Sequence, residues 1–279
     1  MTSFDQFNSD YDFWYSGPVR THYLICSTPR SDSHFLGHLM YASGTLGYPL
    51  EYFHPSHFAK WGRLSGRHDP LEVLQYIKKR RTSLNGCFGI KTHFAQFRHM
   101  CRLVEMEEAL PGCRLIFVDR RDILSQAISL VKAKQTGAWI SFHRKQREAK
   151  YEQAQIDEAL VRIIDEKVSW ADHLRHADNR VLRLSYEDFC EKPDRAIRSV
   201  SSHLGVETPI LRQGARLPER QSDEQNQFWK RRYLEGAPEG FHAVLLPAVH
   251  RLQGCTSQIE LPEAIRQLKN RVKRVLAIP

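Results

Sequence analysis

Tyr23-Leu24-Ile25-Cys26-Ser27-Thr28 is a short apolar run closed by Pro29 and a polar stretch, which predicts a buried strand ending in a loop. From Ser33 the pattern turns helical, with Phe35, Leu36, Leu39 and Met40 falling on one helix face. The succession then recurs. Cys87 to Lys91 and Arg114 to Val118 predict two further strands. The second leads into a helix with Ile123, Leu124, Ala127, Ile128 and Val131 along one side, and Asp122 is placed to cap its first turn. Arg180 to Phe189 supplies a fourth strand and Asp194 to Leu204 a helix after it. Strands alternating with helices predict an α/β fold with a central parallel sheet flanked by helices on both faces.

Between the third and fourth strands, residues from about 141 to 176 predict a helical insertion. Its first half is polar, and its second carries Ile156, Leu160, Ile163, Ile164, Val168 and Leu174 at nearly helical spacing. Pro262 to Ile278 reads as a basic amphipathic helix packed on the domain. No repeat or linker divides the chain, so 1–279 is expected to form a single domain. No apolar run approaches the roughly 20 residues a bilayer-crossing helix needs. Met1 to Tyr15 is acidic and aromatic, unlike a secretory leader. The six cysteines form no CxxC pair and sit in apolar segments, as expected of reduced, partly buried thiols in a cytoplasmic protein.

Lys and Arg total 41 against 32 Asp and Glu, a formal charge of +9. Such a surplus serves nucleic acid, an anionic membrane face, a small anionic ligand, or nothing beyond solvation. Basic clusters occur at Lys78 to Arg81, Lys230 to Arg232 and Lys269 to Arg274. None has the interleaved aromatics of an RNA-binding sheet, and none is a zinc finger or basic zipper, so a nucleic-acid partner is not expected.

In an open parallel sheet, ligands bind beyond the carboxyl ends of the strands. There the first strand passes through Thr28-Pro29-Arg30-Ser31-Asp32-Ser33-His34 straight into a helix. Hydroxyls, a guanidinium and the amides of a helix N-terminus make this a seat for phosphate or sulfate, or else an ordinary capped turn. The nucleotide-kinase pattern GxxxxGK[ST] is absent. The third strand ends at Arg120-Arg121-Asp122 and also enters a helix, with Ser125 and Ser129 behind it. Two basic strand-to-helix sites in one sheet suggest a ligand with two separated anionic groups.

Residues 27–36, STPRSDSHFL, resemble the 5′-phosphosulfate loop of PAPS-dependent sulfotransferases, in a form near PRSGTTL. Ser185-Tyr186-Glu187-Asp188-Phe189, followed by Lys192-Pro193-Asp194 and ending at Leu204-Gly205, resembles their YEDL strand, proline and helix closing on LG. The nearer resemblance is to the trehalose sulfotransferase (Stf0) branch. Gly47 to Phe53 is similar to its GEPxEFF segment, and Asp119 to Ser129 to its strand-end Arg and QAVS helix. Arg216, Ser222-Asp223-Glu224 and Arg232-Tyr233 are similar to its C-terminal loop.

The resemblance implies a P-loop-like sulfotransferase fold and transfer of a sulfuryl group from PAPS (3′-phosphoadenylyl sulfate) to a hydroxyl of a carbohydrate or glycolipid, such as a trehalose-like sugar. It implies that Arg30, Ser31, Ser33 and His34 hold the 5′-phosphosulfate, with His34 standing where the family has Thr. Arg120 with Ser129 or Ser125 would hold the 3′-phosphate, and Arg216 and Arg220 would close over the nucleotide from a loop at about 212–233. Glu51 stands at the family's proposed catalytic base, and Arg30 and Lys91 would stabilise charge on the departing phosphate. No metal is required, and a homodimer is compatible with the resemblance. His54, His57 and His93 read as surface or core histidines, and Trp139, Phe142 and Trp170 as packing. The departure is Asp32, where the family has Gly: Asp tolerates a positive φ, but its charge opposes an anion. A member that binds nucleotide or sugar without catalysis is therefore the first alternative, and a basic nucleic-acid or membrane-surface protein the second.

Overall fold

The computed structural model describes residues 4–140, 143, 146–175, 177, 181–207 and 224–236. Four parallel strands, β1 (Thr21–Ser27), β2 (Cys87–His93), β3 (Arg114–Asp119) and β4 (Val181–Ser185), form one sheet in the order β2-β1-β3-β4. Side chains alternate between its faces. Leu24, Cys26, Phe88, Ile90 and Phe117 pack on one side with Trp61, Leu74, Ile77 and Trp170. Tyr23, Ile25, Ile116 and Val118 pack on the other with Leu36, Leu39, Ile197 and Val200. Gly89 lies in register with Tyr23, and a Cβ there would stand 2.0 Å from the Tyr23 ring, so this strand position has room only for glycine.

The helices are α1 (Ser33–Ser43), α2 (Pro55–Ser65), α3 (Pro70–Arg81), α4 (Phe94–Leu103), α5 (Met106–Ala109), α6 (Ile123–Thr136), α7 (Gln153–Leu174), α8 (Tyr186–Glu191), α9 (Pro193–Leu204) and α10 (Glu224–Glu235). The α/β architecture expected from the sequence is the one present. Asp122 caps α6 as expected, its carboxylate accepting from the Ser125 amide at 3.0 Å.

Three expectations change. The helical insertion starts at Gln153, not near 141, and 146–152 are not helical. That approach runs along the end of α6, where the Gln146 amide donates to the Thr136 carbonyl and the Lys150 amide to the Gln135 side chain, both at 2.8 Å. The fourth strand stops at Ser185, because its hydroxyl accepts from the Asp188 amide at 3.1 Å and starts α8. Cys101 is exposed, whereas Cys26 and Cys87 are buried. Of the expected C-terminal loop, residues 224–233 lie in helix α10, while Arg216, Arg220 and the basic segment 262–278 lie outside the described residues. Among the described residues, no helix is long and apolar enough to cross a membrane.

Candidate active site

Parallel pairing brings the carboxyl ends of three strands together, with Ser27 in register with His93 on one side and Val118 on the other. The loop after β1 turns sharply through two left-handed residues, Arg30 at φ 64° and Asp32 at φ 54°. Its shape is held from several directions. Ser31 is buried, its hydroxyl donating to the Thr28 carbonyl at 2.8 Å. Gln126 of α6 donates to the Thr28 hydroxyl at 2.8 Å and to the Pro29 carbonyl at 2.6 Å. Trp170 of α7 donates from its indole to the Ser27 carbonyl at 2.9 Å. Trp170 is thus a packing residue, as the sequence suggested. Ser33 and His34 open α1, whose first amides have no partner within the helix.

Glu51 stands opposite this loop. The Lys91 amide donates to the Leu50 carbonyl at 3.0 Å, so the segment before α2 rides along β2 and sets Glu51 beside Lys91. The Lys91 ammonium pairs with Glu51 Oε1, and the Gln96 amide group donates to Oε2 at 2.5 Å. His34 Nε2 and His93 Nε2 stand 3.4 Å and 3.6 Å from Oε1. Burial would raise the Glu51 carboxyl, but Lys91, then His93 and His34, hold it well below the usual carboxylate range. Burial, then Lys91, pushes His34 down to about 4; burial, against the pull of Glu51, leaves His93 at about 4. Both imidazoles are neutral near pH 7.

Arg120 at the end of β3 reaches across to the first loop, donating to the Arg30 carbonyl at 3.1 Å while its guanidinium lies 4.4 Å from the Tyr186 ring centroid. Its Nε is buried and makes no protein hydrogen bond. The Arg30 guanidinium donates through Nε to the Ser129 hydroxyl at 2.9 Å. The two strand-end sites therefore adjoin along one basic rim. Ser125 is engaged elsewhere: its hydroxyl donates to Asp122 Oδ2 at 2.7 Å, where Lys230 of α10 also donates at 2.6 Å. Lys167 of α7 steadies the rim by donating to the Arg120 carbonyl at 2.7 Å.

A cavity of about 650 Å³ opens over this cluster. Arg30, Ser33, His34, Glu51 and Lys91 all line it, so five of the expected residues share one space. Asp32 lines it too, and its charge favours the protonated forms of both Arg30 and Lys91.

Sequence reasoning set aside several residues that also line the cavity. His93 and Lys91 are two apart on β2 and so project to the same face, a spacing that marks His93. His57 accompanies Glu51, its Nδ1 3.0 Å from the Glu51 carbonyl oxygen. Trp139 is 44% exposed and lines the cavity instead of packing in a core. Phe142 lies outside the described residues. Glu166 of α7, only 9% exposed, also lines the cavity, and its buried Oε2 makes no protein hydrogen bond. A lone Glu on an amphipathic helix gives no signal of that kind in sequence.

Solved structures similar to this chain include the sulfotransferase domain from the curacin biosynthetic pathway (14% identity, 68% of this chain and 76% of that one, TM-score 0.42). Mouse sulfotransferase SULT7A1 complexed with PAP is another (13%, 83% and 72%, TM-score 0.44). A third is a sulfotransferase from Alicyclobacillus acidocaldarius (12%, 79% and 92%, TM-score 0.42). A comparison with curated protein sequences finds no match. The family model described as Stf0 sulphotransferase matches residues 22–236, from the first strand through α10 and across every element that builds the cavity floor, and the chain belongs to that family.

Proposed function

We propose that the protein moves a sulfuryl group from PAPS to a hydroxyl of a carbohydrate or glycolipid acceptor. The observation that carries this reading is the half-buried Glu51 carboxylate, facing the Arg30 to His34 loop across a cavity large enough for a small acceptor. Two features of the chain fit the donor. The first-turn amides of α1, Ser33 and Arg30 suit a phosphosulfate, and Arg120, whose buried Nε makes no protein hydrogen bond and which bonds the carbonyl of the same Arg30 that holds Ser129, suits a second phosphate. With Ser125 bound to Asp122, Ser129 is the better partner for that phosphate.

In the transfer, the acceptor oxygen attacks sulfur as the bond from sulfur to the phosphate oxygen breaks, and the hydroxyl proton passes to Glu51. Lys91 and Arg30 counter the charge left on the departing phosphate. Lys91 lies on Glu51 before reaction, so the same ammonium that holds Glu51 ionised can turn to the phosphate as Glu51 takes up its proton. On the acceptor side, an ionised Glu166 Oε2 can only accept hydrogen bonds, so it suits a ligand with O–H donors beyond the reacting one. The exposed indole of Trp139 offers such a sugar an apolar face.

A second reading, a member that binds without turnover, is favoured by Asp32 in the cavity wall. Incubation with radiolabelled PAPS and a panel of cell-extract sugars and lipids separates the two. Labelled product with the wild-type chain, lost by about 10²–10⁴-fold in Glu51→Gln while retention on immobilised adenosine 3′,5′-bisphosphate is unchanged, is the expected result. Retention without label transfer would leave the binder, and full activity in Glu51→Gln would remove Glu51 as the base.

A further inference from the structure

The N-terminal segment precedes residue 22, where the family match begins, yet Phe4, Asp5, Gln6 and Phe7 line the cavity. Two arginines of α3 fasten it there. Arg81, fully buried, donates to the Gln6 carbonyl at 2.7 Å and to the Asn8 carbonyl at 3.2 Å, and pairs with Asp12. Arg80 closes on the same carboxylate at 2.8 Å. The Phe13 and Tyr15 amides donate to the Arg80 and Lys79 carbonyls at 2.8 and 2.9 Å. So anchored, the segment sets the Phe7 ring between Trp61 and His57, at centroid distances of 5.1 and 5.9 Å, under the Lys60 ammonium 3.9 Å away. Phe4 sits against His38 at 5.1 Å.

We propose that residues 4–7 form the outer wall of the cavity and select what reaches Glu51 and His93. That the selected compound is a sulfuryl acceptor rests on the reading above; that the segment controls access does not. The wall lies before the stretch the family match covers, so acceptor choice is set here by residues outside that match. Two aromatic rings over a polar floor admit a slim hydroxylated compound and keep bulk water from the reacting centre.

Carbethoxylation by diethyl pyrocarbonate, mapped by peptide mass spectrometry, tests the wall without any substrate. The reagent attacks neutral imidazole, and His93, held at about 4, is neutral at working pH, so access limits its rate. Exposed His68 is the internal reference. The wall narrows the approach to the 15% exposed His93 side chain, so Phe4→Ala/Phe7→Ala is expected to speed its modification severalfold, with His68 unchanged. An unchanged His93 rate overturns the proposal. If the double variant loses its folded circular dichroism, Phe7→Leu, which keeps an apolar side chain on Trp61, takes its place with the same expected direction. Retention on immobilised adenosine 3′,5′-bisphosphate is measured alongside. Unchanged retention keeps the wall on the acceptor side, and loss in the variant alone overturns that placement. Absence of retention in the wild-type chain counts against the nucleotide reading, and the wall is then judged by the His93 rate.

Discussion

Asp32 holds the backbone at φ 54°, ψ 25°, a left-handed conformation that glycine adopts freely and Asp and Asn tolerate better than most residues. The sequence carries this much, because an Asp where a glycine is expected still permits the turn. Its electrostatic consequence needed the structure: the carboxylate stands in the same cavity wall as Arg30, and burial pulls the Arg30 guanidinium down while Asp32 works against that pull. A bisphosphate bound as proposed would meet this negative charge. Asp32→Asn keeps a residue suited to the left-handed turn and removes the charge, so it is expected to tighten adenosine 3′,5′-bisphosphate by about fivefold, ~1 kcal/mol. Asp32→Gly should do at least as well, since it also removes backbone strain. Calorimetry that gives all three proteins the same affinity would mean the carboxylate is screened from the anion. Glu51 was legible in a different way, through a motif, whereas Glu166 was not legible at all. A buried Glu on one helix is distinguished only by what faces it, and that depends on where α7 crosses α6.

At the scale of elements, the start and the buried face of α6 are legible because its apolar stripe and its Asp cap agree, and the structure adds its end at Gly137. Its neighbour α7 was readable only where Ile156, Leu160, Ile163 and Ile164 meet α6 in a shared core. The approach to it reads as helix in the sequence and is not one, since a polar stretch satisfied by the end of a neighbouring helix looks in sequence like any solvated helix face. Helices α2 and α3 begin with Pro55 and Pro70, a start signal that the sequence carries at each first helical position. Asp122 links this level to the site, because one carboxylate caps α6, holds Ser125 and receives Lys230 from α10. Asp122→Ala is expected to cost about 1–2 kcal/mol, read as a lowered urea midpoint with an unchanged slope. Asp122→Asn, which can still accept from the Ser125 amide, should recover most of the loss. An unchanged midpoint in Asp122→Ala would mean that α6 is fixed by packing alone.

Over the whole molecule, part of the +9 surplus turns out to be internal. Lys78 is 5% exposed and donates to the Ala109 carbonyl at 2.6 Å, and Arg80 and Arg81 clasp Asp12, so a cluster that reads as a basic patch joins α3 to α5 and to the N-terminal segment. Four histidines also stand away from bulk water, His22 and His38 buried and His34 and His93 half-buried in the cavity wall. Burial is the main cause that lowers His22, His34 and His93 to about 4 and His38 to about 3. In the unfolded chain these imidazoles return to about 6.5. Between those limits the unfolded state binds more protons than the folded one, so stability rises with pH and is lost as pH falls. Glu166, Asp157 and Asp12, raised chiefly by burial, take up protons first in the folded state and offset part of that loss. Glu51, held low by Lys91 once the cost of burial is overcome, adds its own loss only at still lower pH. The urea midpoint is therefore expected to fall between about pH 7 and about pH 5, before most carboxylates titrate. His22 lies on β1 beneath Lys78 and away from the cavity, so His22→Asn removes one of the four sites without touching the floor around Glu51. Its midpoint should depend less steeply on pH than that of the wild-type chain. Equal slopes for the two proteins, or a flat wild-type profile across that range, would show that these imidazoles take up solvent protons without unfolding.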